Sequence, residues 1–335
     1  MDVDDWLWLH VGMTHASVLP ARLPTTAPAG RRGQSLALVL TSMTSVQVGA
    51  AASTHLFGSL GVAGTTWLRL CWAAVLLLLV VRPPVARLAL RDLAAAVALG
   101  VTSALMTLAF FGAVSRLPLG TAVAVESLGP LGIAALRSRR LGLVWAAVAL
   151  LGVAALTQPW SQSPSDRVGL LLAAGAAIAW AGYILLTAQV GERCPGLTGL
   201  AISLAVAALV AAPLGAPQAL PHLTMAGALA CAGLAVLAPA LPYAAEMTAL
   251  RVLAPAVFGV WMSLEPAIAT TVALFLLHQV PDSVQLVGVL LVVAASVGAE
   301  RTALSSGADN HNRQGPDPDP QQQAADPRTR TEVRS

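Results

Sequence analysis

The sequence predicts an all-α integral membrane protein of ten transmembrane helices, built as two inverted five-helix repeats. Three observations lead there. Only 10% of the 335 residues are charged and the mean hydropathy is +0.74, whereas a soluble domain carries roughly a quarter charged residues. The apolar residues gather in uncharged runs of about twenty, the length that spans ~30 Å of hydrocarbon. The cations also fall overwhelmingly on alternate connections between those runs.

From the N-terminus, residues 1–34 open with Asp2, Asp4 and Asp5, carry Pro20, Pro24 and Pro28, and have no continuous apolar core. They read as a disordered lead-in or as the product of an upstream start codon, not as a signal peptide. Five apolar segments follow at 35–54, 58–81, 92–112, 117–136 and 141–157. Five more run over 168–188, 197–214, 224–248, 254–277 and 283–299. Short connections with turn chemistry, such as Arg82-Pro83-Pro84 and Gln158-Pro159, separate them. The runs lack period-2 alternation and are about twice as long as a barrel strand needs, which excludes a transmembrane β-barrel. Residues 300–335, rich in Pro, Gln, Asp and Arg, are expected to form a disordered cytoplasmic tail.

All nineteen cationic side chains are arginine. The absence of lysine removes a Walker P-loop and every Schiff-base mechanism. With a cytoplasmic N-terminus, sixteen arginines fall inside, Arg116 and Arg167 outside, and Arg69 within a span. That asymmetry predicts a multi-pass protein of the cell membrane with both termini cytoplasmic. Cys71, Cys194 and Cys231 are too scattered for a disulfide framework or a metal site.

The two sets of five spans echo each other. Leu128-Gly129-Pro130 in span four answers Leu264-Glu265-Pro266 in span nine, 136 residues later. An odd number of helices per repeat (35–157 and 168–299) turns the second set upside down. That is the plan of many secondary transporters, whose sites lie near the midplane between the halves.

A charge at the bilayer centre costs from ~3 kcal/mol upward, so each one needs a reason. The intramembrane charges are Arg69, Glu126, Glu246 and Glu265, with Gln47, Trp180, Tyr183, Tyr243 and Ser263 as softer candidates. Pro130 deprives the Glu126 carbonyl of its helical donor, and Pro266 does the same to Met262. A carboxylate and freed carbonyls near mid-membrane suit an ammonium group. Pro239 and Pro242 similarly free the carbonyls of Ala235 and Ala238 in span eight. The blander alternatives are kinks at the prolines, a structural ion pair for Arg69 and interhelical hydrogen bonding for Gln47, Trp180 and Tyr183. Glu246 lies near the cytoplasmic end of its span and is within reach of water there. Arg137 to Arg140 mark topology and offer a lipid-headgroup anchor.

No HExxH, GxSxG or aspartate-rich pair occurs, so no enzyme and no cofactor are indicated. Nucleic-acid binding has no basic patch beyond the inner connections. The remaining readings are a small-molecule exporter, a broad drug or cation exporter, and a non-transporting membrane protein.

Three stretches bring a resemblance into view. They are Leu117-Pro-Leu-Gly-Thr-Ala-Val-Ala-Val-Glu126-Ser-Leu-Gly-Pro130-Leu131 followed by Arg137-Ser-Arg-Arg140, then Leu241-Pro-Tyr-Ala-Ala-Glu246-Met247, then Phe258-Gly-Val-Trp-Met-Ser-Leu-Glu265-Pro266-Ala267. Together they resemble the threonine/homoserine exporter group of the EamA family, within the drug/metabolite transporter superfamily. The resemblance covers roughly residues 35–299. It implies two EamA repeats that export small neutral amino acids or related metabolites, coupled to protons. The candidate substrate-binding residues, read from the intramembrane charges, amides, aromatics and prolines above, are Glu126, Pro130, Arg69, Glu265, Pro266, Tyr183, Trp180, Gln47 and Glu246. One departure stands out. Members commonly end the ninth span with Gly-Glu, whereas His278-Gln279 stands here.

Overall fold

A computed structural model of the chain describes residues 29–84, 88–137, 139–158, 164–194, 197–240, 242 and 261–313. Among the described residues the regular structure is helical: α1 (Ala29–Thr54), α2 (Phe57–Leu60), α3 (Val62–Val81), α4 (Leu90–Val114), α5 (Leu119–Glu126) and α6 (Leu128–Arg137). Then come α7 (Arg139–Thr157), α8 (Pro164–Arg193), α9 (Thr198–Ala219), α10 (Met225–Ala235), α11 (Glu265–Leu276) and α12 (Ser283–Arg313). Four of these regions are long and apolar enough to cross a membrane: Val62–Val81, Leu90–Val114, Asp166–Gly191 and Thr198–His222. Shorter apolar helices cover Leu119–Ile133, Gly142–Thr157, Met225–Ala238, Glu265–Leu276 and Ser283–Ala299. Leu171, Ile178, Leu209 and Val80 are each more than 70% exposed. So much outward-facing aliphatic surface is intolerable in water and natural against lipid.

The helices pair in a definite way. α3 packs along α9, α4 lies against both α8 and α9, and α7 runs beside α12. α11 is set between α1 and α5. Small residues make the close pairs possible. A Cβ added at Gly288 would come within 2.7 Å of the Gly152 carbonyl oxygen, and one at Gly152 within 2.9 Å of the Gly288 oxygen. The α7 and α12 backbones therefore touch where no side chain fits.

The proline-bearing spans are interrupted. Span four stops at Glu126 and restarts at Leu128, with Ser127 between the two helices. In span nine, Ser263 and Leu264 form a turn before α11 begins at Glu265. In span eight the backbone widens into a π-turn over Val236–Ala240. The i→i+5 register of this turn moves the effect of Pro242 from the Ala238 carbonyl, expected of an α-helix, to the Leu237 carbonyl, because Pro242 has no N–H to give. The hydroxyl of Ser45 on α1 donates to the Leu237 carbonyl instead, at 2.7 Å.

Candidate substrate site

α5 is buried along its whole length up to Val125, and Glu126 is the first half-exposed residue after that run. Ser127, Leu128 and Pro130 beyond it are also half-exposed. On the facing element, Trp261, Met262, Ser263, Leu264 and Glu265 are half-exposed, while Pro266 is buried. On α5 the break therefore marks a change from fully buried to half-buried residues, whereas α11 stays half-buried at Ala267, Ile268 and Thr270 beyond its own break. The carboxylate of Glu126 lies within electrostatic range of Glu265.

Gln47 on α1 joins them. Its Nε2 donates to Glu265 Oε1 at 3.0 Å, which fixes the orientation of the amide. Gln47 is 2% exposed, and its Oε1 has no partner among the described residues. An orphaned buried acceptor of this kind costs about 1–3 kcal/mol until a donor arrives.

Arg69 on α3 is arranged in the complementary sense. Nη1 donates to Ser53 Oγ on α1 at 3.0 Å, and the guanidinium lies over the Phe111 ring, 4.7 Å from its centroid. Nε is buried with no acceptor. Among the described residues Arg69 makes no ion pair with Glu126 or Glu265, and the Cys231 thiol lies within electrostatic range of it. The structural ion-pair alternative for Arg69 therefore finds no partner there.

The arrangement offers two half-sites of opposite polarity around one helix. Gln47 and Ser53 are six residues apart on α1, about 9 Å at ~1.5 Å per residue. They are also about 120° apart around the helix, so their partners Glu265 and Arg69 approach α1 from different sides. The Gln47 end presents an orphan acceptor and two carboxylates. The Ser53 end presents an orphan donor on a guanidinium.

The remaining sequence candidates distribute differently. Pro130 and Pro266 sit at the two breaks. Tyr183 packs with Ala95, Leu99, Val190 and Cys194 between α4 and α8, in a separate apolar cluster. Trp180 is half-buried on α8, in the stretch where the Gly129 backbone presses against Ala177 and Ala181. Glu246 and Tyr243 lie outside the described residues. Sequence reasoning missed Ser53, Phe111 and Ser45. Each is unremarkable in the sequence, because a lone serine or phenylalanine in an apolar run carries no signal of its own.

At the arginine-poor end of the bundle, a cavity of about 210 Å³ is lined by Thr121, Gln158, Asp166, Asp282 and Gln285 among others. One of its two acids, Asp282, has a local explanation. Asp282 Oδ1 accepts from the Gln285 N–H at 2.8 Å, and Gln285 Oε1 accepts from the Asp282 N–H at 3.1 Å. This is a reciprocal capping box that starts α12. The bond from the Gln285 N–H, with a second from Gln158 Nε2, holds the Asp282 carboxyl below its ordinary range.

The model of the EamA-like transporter family matches residues 167–299. The threonine/homoserine exporter RhtA of Escherichia coli K12 is 35% identical over 271 residues, covering 80% of this chain and 91% of that protein. The RhtA exporter of Salmonella typhimurium LT2 is 34% identical over 269 residues, covering 79% and 90% respectively. A solved crystal structure shares the fold at a TM-score of 0.52 and 18% identity, covering 80% of this chain and 98% of its own.

Proposed function

The chain belongs to the EamA-like transporter family, and from that premise we propose that it exports small neutral amino acids of the threonine/homoserine kind. The relatives it matches are threonine/homoserine exporters by name. The observation that carries the reading to this chain's own residues is the pair of orphaned atoms. Gln47 Oε1 is a buried acceptor and Arg69 Nε a buried donor, which is the complement of a zwitterion. The ammonium sits among Glu126, Glu265 and Gln47, and the carboxylate meets Arg69.

Two carboxylates facing each other in a low-dielectric space repel, and an ammonium between them removes that repulsion. A proton on either carboxylate does the same, so substrate and proton compete for one site. Export is then proton-coupled by alternating access, with ten spans in two inverted repeats rocking about the breaks at Ser127 and Leu264. The arginine asymmetry supports a cell-membrane protein with both termini cytoplasmic. No cofactor is required.

Counterflow in proteoliposomes tests the substrate class. Vesicles loaded with threonine or homoserine should accumulate the labelled amino acid against its gradient, and an imposed proton gradient should accelerate it. Uptake confined to lipophilic cations, indifferent to threonine, would overturn the amino-acid reading in favour of drug export. Tags placed before residue 34 and after residue 335 should both report from the cytoplasm, and a periplasmic signal at either end defeats the topology.

A further inference from the structure

We propose that Gln279 is the latch of the outer gate. Its side-chain bond to the start of span four must break before the site can open outward. The inference rests on the reading that the site lies between α5 and α11, and adds a residue that neither binds substrate nor carries charge.

The geometry is specific. α11 ends with the Leu277 and Gln279 N–H groups both donating to the Ala273 carbonyl, at 3.0 and 3.1 Å. Between them His278 takes a left-handed conformation with φ of 56°. That reversal turns Gln279 back toward α5, where its Oε1 accepts from the Leu119 N–H at 3.0 Å. Leu119 is the first residue of α5, so this N–H has no partner within its own helix. A single side chain thus ties together the ends of the two helices that carry Glu126 and Glu265.

What lies behind the latch is closed. Gly120 is packed so tightly on Thr270 that a Cβ would collide with it. Leu119, Ala122 and Val123 of α5 share one buried cluster with Ala269, Val272 and Ala273 of α11. Among the described residues these packed surfaces close the space between α5 and α11 on the outward side of Glu126 and Glu265. Closure by apolar contact alone is non-directional, whereas the Gln279 bond is made in one register only.

The molecule supplies its own control. Gln218 Oε1 accepts from the Ala63 and Gly64 N–H groups, at 3.1 and 3.3 Å, capping α3 at the same end of the bundle. That bond joins α3 to α9, a pair packed along its length. Loosening it should leave the gate between α5 and α11 shut.

The test uses the full-length protein with Cys71, Cys194 and Cys231 replaced by alanine, and Ala122→Cys as reporter behind the latch. A membrane-impermeant maleimide is applied to right-side-out and to inside-out vesicles. Gln279→Leu should raise labelling from the outside about fivefold, the shift expected for one lost hydrogen bond. Gln279→Glu keeps an acceptor at a helix N-terminus, where negative charge is favoured, and should label no faster than the parent. Gln218→Leu should match the parent. Unchanged labelling in Gln279→Leu, or an equal rise in Gln218→Leu, overturns the proposal. Thermal stability measured on each variant separates gate opening from general loosening. Substrate identity does not enter the readout, so failure of the amino-acid reading leaves this result interpretable. A rise seen only in inside-out vesicles overturns the outward direction of the gate.

Discussion

Two helix pairs show how differently the same apolar composition can be used. α7 and α12 are uninterrupted, touch backbone to backbone at Gly152 and Gly288, and are tied near both ends. Trp145 Nε1 donates to Thr302 Oγ1 at 3.0 Å at one end, and Gln158 Nε2 to Asp282 Oδ2 at 2.7 Å at the other. Spans four and nine are both broken, and each places a carboxylate at its break. A pair without gaps, frayed turns or buried charge has one arrangement available. A pair with interrupted backbone hydrogen bonds and repelling carboxylates has several, and a ligand can choose among them. Under the proposed transport cycle, α7 and α12 stay fixed while the interrupted spans carry the movement.

The largest effect expected from breaking that contrast is on transport. Glu126→Gln keeps the shape but removes a charge for ammonium or proton, and should lower coupled export about a hundredfold. Protein level and melting temperature should stay near normal, since a buried amide is cheaper than a carboxylate. Full transport by this variant sinks the site assignment.

Arg69→Leu sharpens the contrast within the mobile half. Amino-acid export should fail, while an amine lacking a carboxyl group, assayed in the same vesicles, still passes. Because Arg69 contacts Ser53 and Phe111 and not Glu126, the double variant with Glu126→Gln should not recover any lost stability. The two changes should add within about 0.5 kcal/mol in thermal unfolding. Recovery of folding in the double variant would instead establish an ion pair between them.

The rigid pair predicts the opposite pattern. Gly288→Leu forces a side chain onto the Gly152 carbonyl and should destabilise by about 1–3 kcal/mol, with transport per folded molecule little changed. A selective transport defect without loss of stability would mean that α7 and α12 move.

The smallest effect belongs to the capping box. Asp282 is held below its ordinary range by the Gln285 N–H and Gln158. A depressed carboxyl contributes stability above the ordinary Asp pKa of about 3.9 and loses it as pH falls through its folded value. Asp282→Ala should lower Tm by only about 2 °C at neutral pH, and the difference from the parent should shrink as the pH is lowered into that range. A difference that grows on acidification contradicts the assignment.

Part of this protein is determined locally and was legible without a fold. The apolar runs set where the apolar helices form, and Pro130, Pro266 and Pro239 set where three of them break. A missing N–H disrupts its own turn whatever surrounds it. The intramembrane charges singled themselves out by the cost of burying them.

What those charges touch was decided only by tertiary packing. Gln47 meets Glu265 across 218 residues and Gln279 meets Leu119 across 160. Arg69 finds Ser53 and Phe111, not the carboxylate that charge complementarity alone suggested. Tyr183, equally plausible in the sequence, is drawn into an apolar cluster of its own. Helix formation and breakage depend on neighbours within about four residues. Pairing of side chains depends on which helix faces which, and in an apolar environment that is fixed by the fit of small residues such as Gly120, Gly152 and Gly288 against another backbone.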